Sequence, residues 1–325
     1  MINRAVRGAP VKGARPMRRP RRGRSIAAVF SMALVLLAAL AFGLTGARPP
    51  AGAVFAEEQS VQDIAPAAAP GRVHQGMHRT FDQFTVHVPT GAREPLTVLV
   101  ALHGIGGTGE DFSAPLYPLT DARGWVVVAP TFGYGDWRDP GQVTKDETRN
   151  LPQLAAFLDR LPEITGLNVN PTVNLYGFSR GGQTAERFAL IYPERVASVA
   201  MASSGTYTLP VRTFGIEDRT AHFPYGVADC AELFGRGFDA ERFAQVSFWI
   251  GIGRRDSDPA DVPHQWDPYI GDDRLERAGR IAIALYDAGA SVQVVEFPDT
   301  GHAETAEVRA AAFRFLASVS EAPAS

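Results

Sequence analysis

Gly177-Phe178-Ser179-Arg180-Gly181 sets a hydroxyl nucleophile between glycines two residues either side. The pentapeptide follows the apolar run Thr172 to Tyr176 and precedes a helix-like stretch, Gly182 to Tyr192. A strand, a sharp turn and a helix would strain the serine backbone and lift its hydroxyl above a sheet edge. Glycines at those spacings remove Cβ atoms that would collide in so tight a turn. The chemistry this pattern suggests is acyl transfer through a serine.

A serine hydroxyl is a weak nucleophile at neutral pH. It needs a base to take its proton, and the base needs a carboxylate to orient it. Three histidines follow Ser179: His222, His264 and His302. His302 lies in Asp299-Thr300-Gly301-His302, after the last candidate strand and before the last candidate helix. That is where a base belongs when the chain order is Ser, acid, His. His222 falls in a long insertion and His264 in a Pro-rich loop, so both are weaker candidates. The acid should follow the apolar strand ending Trp249-Ile250-Gly251. Asp256 comes first, with Asp258 and Asp261 close behind, and the sequence leaves the three open.

Attack on a carbonyl also needs two backbone N–H groups for the oxyanion. One would come from Arg180, the residue after the serine. The other would come from His103-Gly104-Ile105-Gly106-Gly107, after the strand candidate Leu96 to Leu102, with Ile105 ahead of Gly106 as donor. This glycine-rich loop lacks the Lys-Ser/Thr ending of a phosphate loop and the spacing of a dinucleotide site. His103 reads as a residue that fixes the loop. Trp137, in Tyr134 to Asp139, and Trp266 with Tyr269 are candidate substrate-lining aromatics, with loop packing as the competing role.

These groups must be positioned by the elements between them. Phe84 to Val88, Leu96 to Leu102, Trp125 to Ala129, Val173 to Tyr176, Val196 to Ala202, Val246 to Ile250 and Val292 to Phe297 are short apolar runs rich in β-formers. Helical spacing recurs at Leu151 to Leu161, Gln183 to Ile191, Arg274 to Asp287 and Glu304 to Leu316. Alternation of this kind predicts an α/β fold, a doubly wound, mostly parallel sheet with helices on both faces. Ligands then bind at the carboxyl ends of the strands. Residues 205–245 break the rhythm, and their aromatics and prolines suggest a short cap over the site.

Ala101-Leu102-His103-Gly104-Ile105-Gly106-Gly107, Gly177-Phe178-Ser179-Arg180-Gly181-Gly182, Asp256 and Thr300-Gly301-His302 together resemble an α/β-hydrolase. The stretch Phe84 to Gly107 is similar to secreted esterases of the polyhydroxybutyrate depolymerase and feruloyl esterase type. That narrower resemblance implies an ester substrate, small or polymeric. The chain lacks the disulfides that many of those enzymes carry, since Cys230 is its one cysteine. Cys230 is expected to be buried.

The N-terminal region reads differently. Residues 1–56 carry ten basic and no acidic side chains, an uncharged apolar run from Ile26 to Leu44, then small residues through Ala56. This is the pattern of an export signal, or of a membrane anchor, since the run is long enough to span a bilayer. Residues 57–75, rich in Ala, Pro and Gln, read as a linker, and 76–325 as the catalytic domain. Of the 32 basic and 35 acidic residues, ten basic ones precede residue 57, which leaves the remainder at net −13. Nucleic acid is thereby disfavoured as a partner, and membrane contact is confined to the N-terminal segment. No Cys/His spacing suits a metal. The expected function is an exported serine esterase needing no cofactor or metal. A serine peptidase on the same fold and a non-catalytic exported binding protein are the alternatives.

Overall fold

A computed structural model of the chain describes residues 74–321. The expected export segment and nearly all of the expected linker lie outside the described residues.

The strand candidates appear with small shifts at their ends. β1 (Met77–Phe81) and β2 (Phe84–Val88) form a hairpin, followed by β3 (Val98–Leu102), β4 (Val126–Pro130), β5 (Val173–Phe178) and β6 (Val196–Ala202). β7 (Thr213–Phe214) and β8 (Arg219–Thr220) pair only with each other, and β9 (Ser247–Gly253) and β10 (Ser291–Phe297) return to the main sheet. The main sheet has eight strands in the order β1-β2-β4-β3-β5-β6-β9-β10. β1, β2 and β4 pair antiparallel in succession, and the rest of the sheet is parallel. β1 has no counterpart in the sequence reading. Most of its side chains are exposed, so it lacks the apolar signal of the buried strands.

Two short helices follow β3: α1 (Gly109–Ser113) and α2 (Tyr117–Asp121). α3 (Pro140–Thr165) and α4 (Arg180–Ile191) follow, with α5 (Cys230–Phe234) and α6 (Ala240–Phe243) in the insertion. α7 (Asp267–Ile270), α8 (Arg274–Asp287) and α9 (Ala306–Ser320) complete the chain. Side chains of α3, α4 and α8, including Leu154, Phe188 and Ile281, share one buried apolar cluster with alternate strand residues. Phe313 and Leu316 of α9 share a second with Trp125, Trp249 and Phe297. β3, β4, β5, β6, β9 and β10 thus feed two cores, one per face, as a doubly wound sheet requires.

α3 begins eleven residues before the expected Leu151. Asp139 caps it, accepting from the Gly141 N–H at 2.9 Å, and Pro140 occupies the first position. Its first three turns bury Asp146, Glu147 and Asn150, with Val143 as their one buried apolar residue, so hydrophobic periodicity could not find them. Glu147 meets the equally buried Arg180 and Arg187 of α4, the latter at 3.1 Å. Burial works against the Glu147 charge, but the two guanidiniums outweigh it and hold the carboxyl below its ordinary range.

α4 is buried on every side and yet carries Arg180, Gln183, Thr184, Glu186 and Arg187. Its polar groups bind the chain that follows β6. Arg187 Nε donates to Thr208 Oγ1 at 3.0 Å, and the Thr208 N–H donates to Glu186 Oε2 at 3.1 Å. Glu186 Oε1 has no hydrogen-bond partner among the described residues. Burial, opposed by Arg187, pushes this carboxyl from its ordinary 4.5 up to about 8. A carboxyl raised on folding binds its proton more tightly in the folded chain. Its contribution is therefore full below pH 4.5 and is lost as pH climbs toward 8. Glu186→Gln keeps the acceptor for Thr208 and has no proton to lose. Thermal melts should find the variant near wild type at pH 5 and more stable by at least about 4 °C at pH 8. Parallel melting curves across that range would refute the assignment.

Candidate active site

Register brings the two candidate oxyanion segments together. β3 and β5 are parallel neighbours, with Leu102 opposite Gly177, so the loop from His103 and the turn at Ser179 leave the sheet side by side. The strand order reverses between β3 and β5, and at such a point loops diverge and leave a crevice. Ser179 has φ 55° and ψ −118°, a conformation that a side chain rarely adopts. Its N–H donates to the Ala202 carbonyl at 2.8 Å, which ties the turn to the end of β6. A Cβ at Gly177 would overlap the Gly181 carbonyl, and one at Gly181 would overlap the Leu102 carbonyl. Both positions therefore require glycine.

The hydroxyl of Ser179 lies 3.0 Å from His302 Nε2, and His302 Nδ1 lies 2.9 Å from Asp256 Oδ2. With Nδ1–H donating to the carboxylate, Nε2 is the bare nitrogen that faces the serine proton. The three side chains come from three loops at the carboxyl ends of β5, β9 and β10. The loop after β9 is zipped to the loop after β10: the Arg254 and Arg255 N–H groups donate to the Phe297 and Thr300 carbonyls at 2.9 and 3.0 Å. A Cβ at Gly253 would overlap the Thr300 carbonyl, so the two loops close only around glycine. Phe178 packs on the His302 ring at 4.9 Å between centroids. Glu304 anchors the histidine loop from behind, accepting from Tyr176 Oη of β5 at 2.6 Å and from Arg309 Nε of α9 at 3.0 Å.

Of the three candidate acids, only Asp256 is buried and bonded to His302. Asp258 is exposed and accepts from the Ala260 N–H at 2.9 Å, an ordinary loop contact. Asp261 has a side chain 55% exposed and reaches Arg274 rather than a histidine. His222 and His264 pair with Asp229 and Asp267 and take no part in the Ser179 contacts.

The loop after β3 is held by His103. Its Nδ1–H donates to the Gly104 carbonyl at 2.6 Å, and its Nε2 accepts from the Phe132 N–H at 3.0 Å. Both ring nitrogens are used, and burial lowers the basicity of the ring, so it stays neutral and fixes the loop. A tight turn follows: Gly107 N–H donates to the Gly104 carbonyl at 3.2 Å, with Gly106 at φ 76°. Ile105 occupies the second turn position, whose N–H the turn does not consume. A Cβ on Gly104 would sit 3.5 Å from Ser179 Cβ, so this backbone lies directly against the serine. Arg180 is the first residue of α4, where the N–H has no intrahelical acceptor. Its side chain turns inward to Glu147, leaving only the main chain for the site.

The two tryptophans behave differently. Trp137 is half-buried on the loop after β4, with the Arg138 guanidinium 3.8 Å over its ring. Trp266 packs between Phe214, Tyr225 and Tyr269, with Arg219 at 4.4 Å, so packing accounts for its burial. The sequence reading missed Arg274. Its Nη1 lies 2.9 Å from Asp256 Oδ1, the oxygen His302 does not use. An arginine opening a helix carries no signal that separates this contact from a surface ion pair. Among the described residues no group of side chains is arranged to hold a metal ion.

Comparison with known proteins bears on the fold. A family model described as the alpha/beta hydrolase family matches residues 98–313, well over half of the chain. The acetyltransferase component of an acetoin cleaving system from Cupriavidus necator is 34% identical over 105 residues, 31% of this chain and 25% of that protein. The curated relatives are thus matched over about a third of their length or less. Poly(aspartic acid) hydrolase-1 from Sphingomonas sp. KT-1 superposes with a TM-score of 0.59 at 19% identity, covering 75% of this chain and 99% of that one. A poly(3-hydroxybutyrate) depolymerase from Bordetella parapertussis gives 0.55 at 22% identity, covering 75% and 93%. At these identities the structural likeness speaks for the fold. With the family match spanning the sheet from β3 to α9, the chain belongs to the alpha/beta hydrolase family.

Proposed function

We propose that the protein is a serine esterase in which Ser179, His302 and Asp256 form the catalytic triad. The observation that carries this reading is the unbroken hydrogen-bond path from Ser179 Oγ through His302 to Asp256, at 3.0 and 2.9 Å. Ser179 attacks the ester carbonyl while His302 Nε2 accepts its proton. Asp256 holds the imidazole and stabilises the imidazolium that forms. The N–H groups of Arg180 and Ile105 meet the oxyanion, where such donors each lower the barrier by about 3 kcal/mol. His302 then passes the proton to the leaving alcohol, and water cleaves the acyl-enzyme. No step calls for a cofactor. Residues 205–245 cap the site in this reading, and Trp137 lines its rim.

The two solved neighbours are named for polymers, poly(aspartic acid) and poly(3-hydroxybutyrate). Hydrolysis of p-nitrophenyl esters, peptide anilides, poly(3-hydroxybutyrate) and poly(aspartate) should therefore be measured side by side. The esterase reading expects the esters to be cleaved and the anilides not. Faster anilide cleavage would favour a peptidase, and inertness toward all four a binding protein.

Ser179→Ala should lower ester turnover by about 10³-fold or more with an unchanged melting temperature. A fluorophosphonate should label wild type at Ser179 and leave the variant unlabelled. Near-normal turnover in the variant would remove Ser179 as nucleophile.

Asp256→Asn should cost about 10⁴ in kcat, on the scale known for serine proteases, whereas Asp258→Asn and Asp261→Asn should stay within about tenfold. Equal losses at all three would sink the assignment of the acid.

We also propose that the domain is exported, because the basic, apolar and small-residue series of residues 1–56 fits that route. N-terminal sequencing of protein recovered outside the cytoplasm should read from Val54 or Glu57. An intact N-terminus in the membrane fraction would favour an anchor, and an intact soluble cytoplasmic protein would refute both.

A further inference from the structure

Arg274 occupies a position that its own element does not favour. It is the first residue of α8, where the helix dipole presents its positive end. Its side chain is only 8% exposed, so the guanidinium is also stripped of most of its water. Two carboxylates offset these costs. Nη1 reaches Asp256 Oδ1 at 2.9 Å and Asp261 Oδ2 at 3.4 Å, and Nη2 donates to the Asp261 carbonyl at 3.0 Å. Asp256 is thus shared, one oxygen on His302 and the other on a cation. The guanidinium fixes the plane of the carboxylate that orients the base. It also cancels part of the negative charge that the base would otherwise face.

We propose that Arg274 is a positioning residue for the reaction: it locks the Asp256 carboxylate against His302 and offsets part of the charge that faces the imidazole. This rests on the triad assigned above. Nothing in the geometry brings Arg274 to a substrate, so it acts only through Asp256.

The charged neighbours are accounted for. On the loop after β9, Arg255 pairs with Asp299 of the loop after β10, and Asp258 caps its own turn. On α8, Arg277 is bound to Asp267 and Glu276 to Arg280. On the loop that carries the base, Glu304 is held by Arg309. Under the serine, Arg180 is paired with Glu147. After β6, Tyr207 is fully buried, and burial pushes its hydroxyl above the ordinary range, so it stays neutral. Arg274 and Asp261 are the charges that bear on Asp256 with no closer partner of their own.

The test is kcat, KM and the pH profile of kcat/KM on p-nitrophenyl acetate, with a thermal melt for each variant. Arg274→Gln keeps a donor and removes the charge. Its kcat should fall about 10–100-fold, the scale for groups that orient a working imidazole, with KM within about twofold. The acid limb should move up by about half to one pH unit, because the uncompensated carboxylate favours the imidazolium. Asp261→Asn, at an exposed side chain, should move the limb the other way by a few tenths. A folded Arg274→Gln with an unmoved limb overturns the proposal and leaves Arg274 a structural ion-pair partner. If that variant does not fold, Arg274→Lys decides. It keeps the charge but cannot span Asp256 and Asp261, so a wild-type limb with kcat down about tenfold supports the proposal, and unchanged kcat overturns it. Ser179→Ala runs in parallel. Turnover surviving there sinks the triad itself, whereas a dead Ser179→Ala beside an unmoved Arg274→Gln limb sinks only the role of Arg274.

Discussion

The turn at residues 177–182 brings backbone against backbone at distances that admit no side chain. Gly177 faces the Gly181 carbonyl, Gly181 faces the Leu102 carbonyl, and a Cβ at Gly182 would overlap Ser204 Oγ. Ser179 can hold φ 55° only because this contact leaves it no alternative. The strain, of the order of 1–3 kcal/mol, is sustained by the sheet hydrogen bonds and by the packing of α4. Much of the surrounding structure follows. α4 must press into the sheet, so all its faces are buried, and its polar side chains must find partners inside the protein.

Those partners explain the polar layer beneath the serine. Arg180 and Arg187 would be untenable there alone, since an unpaired buried charge costs several kcal/mol. Glu147 serves both, and it arrives on the polar first turns of α3. Glu186 lacks a comparable partner and carries its proton instead. The same helix anchors the insertion after β6 through Arg187 and Thr208, so one buried face joins the Ser179 turn, α3 and the insertion. Cys230 is buried in this region, and burial pushes its thiol up to about 12, which leaves it unreactive.

A second junction governs the other half of the site. The loops after β9 and β10 are joined by backbone hydrogen bonds, and Gly253 lets them close. Asp256 and His302 are therefore fixed relative to each other before either meets Ser179. Glu304 then ties the His302 loop to Tyr176, three residues ahead of the serine on β5. Beyond the β5-β6-β9 pairing and the Ser179–His302 hydrogen bond, the two halves register through that carboxylate and through the ring contact of Phe178 with His302.

Local sequence determined a good deal. The β-rich runs place the strands, the spacing of Arg274 to Asp287 gives the limits of α8, and the glycines around Ser179 mark the turn, because each is a short-range constraint written in adjacent residues. The order of serine, acid and histidine follows from the same reading, with the acid left open among Asp256, Asp258 and Asp261, as does the loop-fixing role of His103. What adjacent residues could not express was decided in three dimensions. Asp256, Asp258 and Asp261 are alike in sequence, and only burial against His302 and Arg274 separates them. The first turns of α3 escaped notice because they bury carboxylates, and a buried carboxylate is intelligible only beside its arginines. β1 escaped because an exposed edge strand carries little apolar pattern. Trp266 reads in sequence as either substrate lining or loop packing, and several of its ring neighbours, Phe214 and Arg219 among them, lie some fifty residues away. Sequence specifies contacts made within a turn or a strand, and the pairing of distant charges and rings belongs to the folded chain.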